Sequence, residues 1–234
     1  MTWGYFSWLH ILTMIAVIPI LIGIHFLLKN KSEKTKTIAL LCMALTGIVA
    51  IIYNLIVRKD PINNLPFHLC SLNALMLPIA VTTKNKTICN LLLLWSLGAL
   101  VAIILNDEHY HYKFMDLNFI MYYFPHLFEF GVPILIFTLK LSKLDAKCII
   151  STMLISFVTF TLVHFINVIL KTNYMFSRWP INPVLDLFRS WVPYDYWYML
   201  LCFPIILVYL CLLYHRQLIQ IIKNKLQTKK ESKA

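Results

Sequence analysis

Ile88-Cys89-Asn90-Leu91-Leu92-Leu93-Leu94-Trp95-Ser96-Leu97-Gly98-Ala99-Leu100-Val101-Ala102-Ile103-Ile104-Leu105 contains no charged side chain. Its Leu91-Leu92-Leu93-Leu94 run does not alternate, as a barrel strand between lipid and lumen must. Inside a bilayer every backbone polar group needs an internal partner, and an unalternating run finds one only as a helix. The stretch is therefore read as a transmembrane helix, a little short of the ~20 residues a crossing needs. Six further apolar segments follow the same logic: Trp8–Leu28, Thr37–Val57, Leu65–Val81, Asn118–Leu139, Cys148–Leu170 and Tyr194–Tyr214.

Composition agrees. Sixty per cent apolar residues, 13% charged and a mean hydropathy of +0.73 describe an integral membrane protein. The expected fold is all-α, a seven-transmembrane-helix bundle spanning 1–214 as one domain, followed by a basic cytoplasmic tail at 215–234. Trp8–Leu28 is as long as a bilayer is thick and has no basic residue before it, so it is read as a span and not as a cleaved leader. With the N-terminus outside, segments 29–36, 82–87, 140–147 and 215–234 carry 15 Lys/Arg, against 6 in 58–64, 106–117 and 171–193. The positive-inside rule then puts the N-terminus outside and the C-terminus in the cytoplasm, in a multi-pass protein of the cell membrane. The net charge of +11 is read as topology and contact with anionic lipid, not as nucleic-acid binding. The cysteines at 42, 70, 89, 148, 202 and 211 show neither CxxC nor zinc-ribbon spacing.

The chemistry concentrates in Leu65-Pro66-Phe67-His68-Leu69-Cys70-Ser71-Leu72-Asn73. Pro66 suits the first helical position. Cys70 then lies within about two turns of a helix N-terminus, where the dipole favours thiolate over thiol. Pro66, Cys70, Asn73 and Leu77 share one helical face, while His68 looks elsewhere. A nucleophilic Cys70 must therefore find its base on another helix. The bland alternative is a small buried hydrophobe, the usual role of a free cysteine.

Depth supplies the second argument. Cys70 lies about 9 Å, His126 roughly 12 Å, and His164 and Asn167 ~10 and ~6 Å inside the outer ends of their spans, at helical rise. Glu129 follows His126 by three residues, on the same face. Three spans thus bring ionisable or amide groups to one outer-leaflet layer, and such groups face a bundle interior or cavity. Glu129 is read as holding the second imidazole nitrogen of His126, as in a triad, or as a structural carboxylic acid. His68, His164 and Asn167 are supporting groups. Cys202 is read as core filler, with a Cys70–Cys202 disulfide as the alternative. In the long outer loop Lys171–Pro193, Val184, Leu187, Phe188 and Trp191 fall on one face of a short interfacial helix. Arg178 and Arg189 there suit a lipid phosphate.

Leu65-Pro66-Phe67-His68-Leu69-Cys70-Ser71, together with His126, Asn173-Tyr174-Met175 and Trp191-Val192-Pro193-Tyr194, resembles the YwaF-like family of integral membrane proteins, which includes the animal transmembrane protein 164. The resemblance runs over nearly the whole chain and implies the same seven-span plan. For the animal member it implies acyl transfer between phospholipids, in which a cysteine forms an acyl thioester and a histidine assists. Those roles map onto Cys70 and His126. Asn73, one turn below Cys70, is then a candidate oxyanion donor. The expected partners are membrane phospholipids and lysophospholipids, with no cofactor and no metal. An outer-leaflet site makes cytosolic acyl-CoA a poor donor. Two rival readings remain open. One is a zinc-dependent lipid hydrolase using His109, His111, His126 or His164. The other is a transporter, or a lipid- or small-molecule-binding protein, whose polar layer is a binding site.

Overall fold

The computed structural model describes residues 2–4, 6–58, 60–105, 111–181 and 183–231, with the side chains of 183, 225, 226 and 228–231 left aside. The described chain packs as two compact units, one ending at Lys143 and one beginning at Leu144.

The first unit holds five helices: α1 (Trp8–Leu28), α2 (Glu33–Val57), α3 (Leu69–Thr83), α4 (Lys86–Ile104) and α5 (Leu117–Thr138). Most starts are fixed by capping side chains. Ser7, Ser32, Asn85 and Asp116 each accept a hydrogen bond from a backbone N–H of the following first turn, removing one of the orphan donors that every helix start exposes. Lys84 ends α3 in the left-handed conformation, and Asn85 at once caps α4, so these two helices are joined without a loop. α5 is the centre of the unit and packs on α1, α2, α3 and α4. α4 and α5 bury half or more of their most apolar stretch, α1 and α2 only about a fifth. The outward faces of α1 and α2 carry Ile15, Ile18, Phe26, Val49, Ile52 and Ile56. So much exposed hydrocarbon on two helices is untenable in water and natural in lipid.

Two short strands that sequence periodicity did not signal close one end of the unit. β1 (Thr2–Trp3) pairs antiparallel with β2 (Tyr112–Lys113), Thr2 opposite Lys113 and Trp3 opposite Tyr112. This puts the N-terminus and the connection before α5 at the same end. Trp3 is fully buried there and donates its indole N–H to Thr13 Oγ1 at 2.9 Å. His10, also fully buried, accepts from Phe6 N–H at Nδ1 and donates from Nε2 to Ile103 O at 2.7 Å.

The second unit contains α6 (Cys148–Leu170), α7 (Pro183–Trp191), α8 (Cys202–Leu213) and α9 (His215–Glu231), with 3-10 turns at Tyr174–Phe176 and Trp197–Leu201. α7 is the short helix expected in the long loop. Leu185 and Phe188 bury against Tyr198, while Val184, Leu187 and Trp191 stay exposed. Of the expected apolar face, only Phe188 turns inward. The last apolar segment opens as a 3-10 turn, and the chain bends by 75° between Trp197–Leu213 and His215–Asn224.

Among the described residues five helices (α1, α2, α4, α5 and α6) are long and apolar enough to cross a membrane, or six if that bent pair is one span. α3, at 15 residues, is about 22 Å long, short of the ~30 Å hydrocarbon core. The protein is thus an all-α, multi-pass membrane protein.

Candidate functional site

The helix that carries Cys70 begins three residues later than Pro66. α3 starts at Leu69, with His68 in the N-cap position in extended conformation. The cause lies upstream. Asp60 accepts from Asn63 N–H at 3.2 Å and from the Asn63 side-chain amide, while the Asn64 amide donates to Asp60 O. The Phe67 N–H then donates to Leu65 O across Pro66 at 2.8 Å, a tight three-residue turn incompatible with a helix there. The first helical bond runs from Leu72 N–H to His68 O. Cys70 is therefore the second helical residue, and the N–H groups of Cys70 and Ser71 belong to the first turn, which has no intrahelical acceptors.

Across from it, α5 carries His126 and Glu129. The Cys70 sulfur, a His126 ring nitrogen and a Glu129 carboxylate oxygen all lie within 4.8 Å of one another. They line one cavity of about 70 Å³ together with Ser71, Tyr122, Pro125 and a stripe of α2, several times the space one water needs. That stripe comprises Gly47, Ala50, Ile51 and Asn54, with Tyr53 beside it and Arg58, the residue that ends α2, beyond it. Gly47 is what lets the three helices close on the site. A Cβ on it would lie 2.7 Å from Ala74 Cβ and 3.1 Å from Glu129 Oε1.

Hydrogen bonds assign the imidazole. His126 Nδ1 lies 2.6 Å from Tyr122 O, one turn back on α5. A carbonyl only accepts, so Nδ1 carries the proton and the neutral ring keeps its lone pair on Nε2. The expected Glu129 contact to the second nitrogen is thus replaced by a backbone carbonyl. Glu129 is buried, and among the described residues its Oε2 has no hydrogen-bond partner.

Asn73 does not line the cavity. It is fully buried, one turn further along α3, and its amide N–H donates to Glu129 O at 3.0 Å. It ties α3 to α5 and holds the Glu129 backbone in place, away from the position expected of an oxyanion donor. His68 is half-buried, and its imidazole neither caps α3 nor lines the cavity.

The other expected residues belong to the second unit, where they build a loop. Asn167, fully buried, donates to Tyr174 O at 2.7 Å and Ser177 Oγ at 2.8 Å, and accepts from Thr172 Oγ1 and Tyr174 N–H. His164 Nδ1 pairs with Ser177 Oγ at 3.0 Å. Arg178 reaches the carbonyls of Asn167 and Thr172 at the end of α6. Arg189 pairs with Asp195 at 2.5 Å and donates to Arg178 O. Cys70 and Cys202 each carry a free thiol, so no disulfide joins them.

His109 lies outside the described residues. Among those described, Cys70, His126 and Glu129 form the one group of three metal-ligating side chains; His111 and His164 join no such group. Tyr53, Asn54, Arg58 and Asn118, which nothing in the sequence singles out, also line the cavity. Their signal was polarity at span ends, where polar residues are ordinary.

Compared with models of protein families, the chain matches that of the TMEM164 family over residues 5–214. No curated protein and no solved structure matches it.

Proposed function

The chain belongs to the TMEM164 family, and from that membership we propose that it is an integral-membrane acyltransferase that moves a fatty acyl chain between phospholipids. Cys70 carries the chain as a thioester and His126 is the general base. The observation that supports this reading is the gathering of Cys70, His126 and Glu129 from two helices within 4.8 Å in one cavity. A thiol, an imidazole with its lone pair directed by a fixed Nδ1–H, and a third group beside it form the arrangement nucleophilic catalysis needs.

The steps balance as follows. His126 Nε2 takes the thiol proton, and the sulfur attacks the ester carbonyl of a donor phospholipid. The oxygen that becomes negative is held by Ser71 and the first-turn N–H groups of α3. The carbon–oxygen ester bond then breaks, and the departing lysophospholipid oxygen takes the proton back from His126. A second lysophospholipid gives its hydroxyl proton to His126 and attacks the thioester, which restores the thiol and yields a new phospholipid. The cavity takes an ester group but not a tail, so the chains remain outside it among the helices and lipid. Under this reading the bundle has seven spans, the short α3 and the broken last segment included. It lies in the cell membrane with the N-terminus outside and the tail in the cytoplasm, in keeping with the lysine and arginine distribution. Phospholipid ester carbonyls lie at the hydrocarbon boundary, near the end of α3 that carries Cys70.

The test is direct. Purified protein is offered phospholipid with a labelled acyl chain, and a hydroxylamine-labile adduct on Cys70 is the expected product. Absence of the adduct on the unaltered protein, or its persistence in Cys70→Ala, overturns the reading.

One observation favours a second reading. Thiolate, imidazole and carboxylate are a zinc-type donor set, and Glu129 Oε2 has no protein partner. In that case the site is a metal-dependent lipid hydrolase with ligands Cys70, His126 and Glu129. Stoichiometric zinc in the purified protein and loss of activity on chelation would select it.

A further inference from the structure

The Cys70 cavity has a second polar end. Gly47, Ala50, Ile51 and Asn54 line it along one stripe of α2, at the three- and four-residue spacing that keeps side chains on one helix face, and Arg58, the extended residue that caps α2, continues the line. α2 and α3 run antiparallel, since Gly47 meets Ala74 while Glu33 pairs with Lys84 at the other end. Cys70 precedes Ala74 by one turn, about 6 Å toward Arg58, and Arg58 stands eleven residues beyond Gly47, roughly 16 Å along the same axis. The backbones of Cys70 and Arg58 are thus offset by about 10 Å along the helices. α5 repeats the arrangement. Asn118, which also lines the cavity, precedes His126 by eight residues, about 12 Å. Its Oδ1 accepts from Tyr53 O–H at 2.8 Å, which directs its amide N–H₂ to other acceptors.

A guanidinium and carboxamides therefore stand at one end of a cavity whose other end holds a nucleophile. We infer that Arg58, with Asn118 and Asn54, binds the phosphodiester of the donor lipid and so sets its ester at Cys70. The inference rests on the acyl-transfer reading for what happens at Cys70 and adds what is recognised. The lengths agree. Five single bonds separate phosphorus from the nearer ester carbonyl carbon, about 6 Å end to end. A guanidinium nitrogen stands about 4 Å from the phosphorus it binds. Together these are of the same order as the backbone offset, and the arginine side chain takes up the difference. Arg58 also presents the planar, bidentate donor geometry that matches phosphate oxygens. Arg58 is a positioning residue and takes no part in the bond changes.

The test uses the full chain in detergent and needs no turnover. Alkylation of Cys70 by a small maleimide is followed by mass on the peptide that contains it, with and without dihexanoylphosphatidylcholine or dihexanoylglycerol. The expected result is protection by the phospholipid. In Arg58→Gln the half-protecting concentration rises about tenfold or more, the range for a charged hydrogen bond, while protection by the diglyceride is unchanged. Arg58→Lys recovers part of the loss, and an unchanged alkylation rate without lipid shows that the variants are folded. Equal loss for both lipids, or no loss for the phospholipid, overturns the inference. Protection by inorganic phosphate alone at the same concentration assigns the site to a free ion and overturns the lipid assignment. A labelled-donor arm separates the two proposals. Absence of an adduct on the unaltered protein rejects acyl transfer while the protection result still decides Arg58; an adduct that forms equally well in Arg58→Gln rejects only the positioning role.

Discussion

His126 donates its Nδ1–H to the backbone carbonyl of Tyr122 at 2.6 Å, and the Tyr122 ring lies 4.6 Å from the imidazole. The acceptor is part of the helix that carries the histidine, so it cannot wander. The tautomer is set by α5 itself, and in the neutral ring the lone pair is left on Nε2 whatever Glu129 does.

That fixes an expectation for His126→Asn. Asparagine reproduces the Nδ1 donor to Tyr122 O but has nothing at the Nε2 position. The variant should fold with an unchanged melting temperature and lose about 10²- to 10⁴-fold in the rate of acyl-adduct formation, the usual contribution of general base catalysis. His126→Gln, which offers an acceptor further out but no base, should be equally slow. A normal adduct rate in either variant, measured with labelled phospholipid, removes His126 from the mechanism.

Glu129 is buried beside the Cys70 sulfur and the His126 imidazole, and among the described residues its Oε2 has no hydrogen-bond partner. Leaving a buried carboxyl oxygen without a hydrogen bond at such a depth costs about 1–3 kcal/mol, which is hard to explain by packing alone. Glu129→Gln keeps the shape and removes the ionisable proton. We expect at least a tenfold slower adduct rate with little change in thermal stability, and a double variant with His126→Asn no slower than His126→Asn alone, because groups acting as one unit are not additive. If the glutamine variant is as active as the parent, Glu129 is a structural acid.

Gly47→Ala tests the packing beneath the site. The added methyl would sit 2.7 Å from Ala74 Cβ and 3.1 Å from Glu129 Oε1, and helix-borne atoms cannot step aside singly. Overpacking of this kind costs about 1–3 kcal/mol. The variant should melt at a lower temperature and alkylate Cys70 at a changed rate, and Ala74→Gly in the same chain should restore part of both. Failure of the second change to rescue the first would place the strain elsewhere.

How much of this was legible beforehand follows from what each residue needs. The apolar segments announced themselves because hydrocarbon solvation demands unbroken runs, and each contains a helix, although the third starts only at Leu69 and the last opens as a 3-10 turn. Cys70, His126 and Glu129 stood out as ionisable groups where such groups are expensive. What the sequence could not carry was pairing between helices. Asn73 shares a helical face with Cys70, yet its partner is the Glu129 carbonyl on α5, and no spacing within α3 reveals that. Arg58 and Asn118 looked like ordinary span ends because their convergence on one cavity depends on how α2 leans against α5. His10 was the missed signal: an imidazole inside an apolar run, buried and bonded at both nitrogens.

The turn at Asp60 gives a pH-dependent expectation. Its carboxyl is held below the usual range, first by the Asn63 side-chain amide and then by the Asn63 backbone N–H. The folded-state value is therefore the lower of the two. Stability from this turn is fully present above the unfolded carboxylate value of about 3.9. It is lost as pH falls through the depressed folded value. Because this turn precedes the Leu65–Phe67 bond that delays α3, it also sets where Cys70 stands in its helix. Asp60→Ala should lower the melting temperature at neutral pH and raise the alkylation rate of Cys70. Both differences from the parent should shrink as the medium is acidified below about pH 3.9. Thermal unfolding and thiol labelling across that range check it, and a gap that stays constant into strong acid would show that the carboxylate form of Asp60 does not hold the turn.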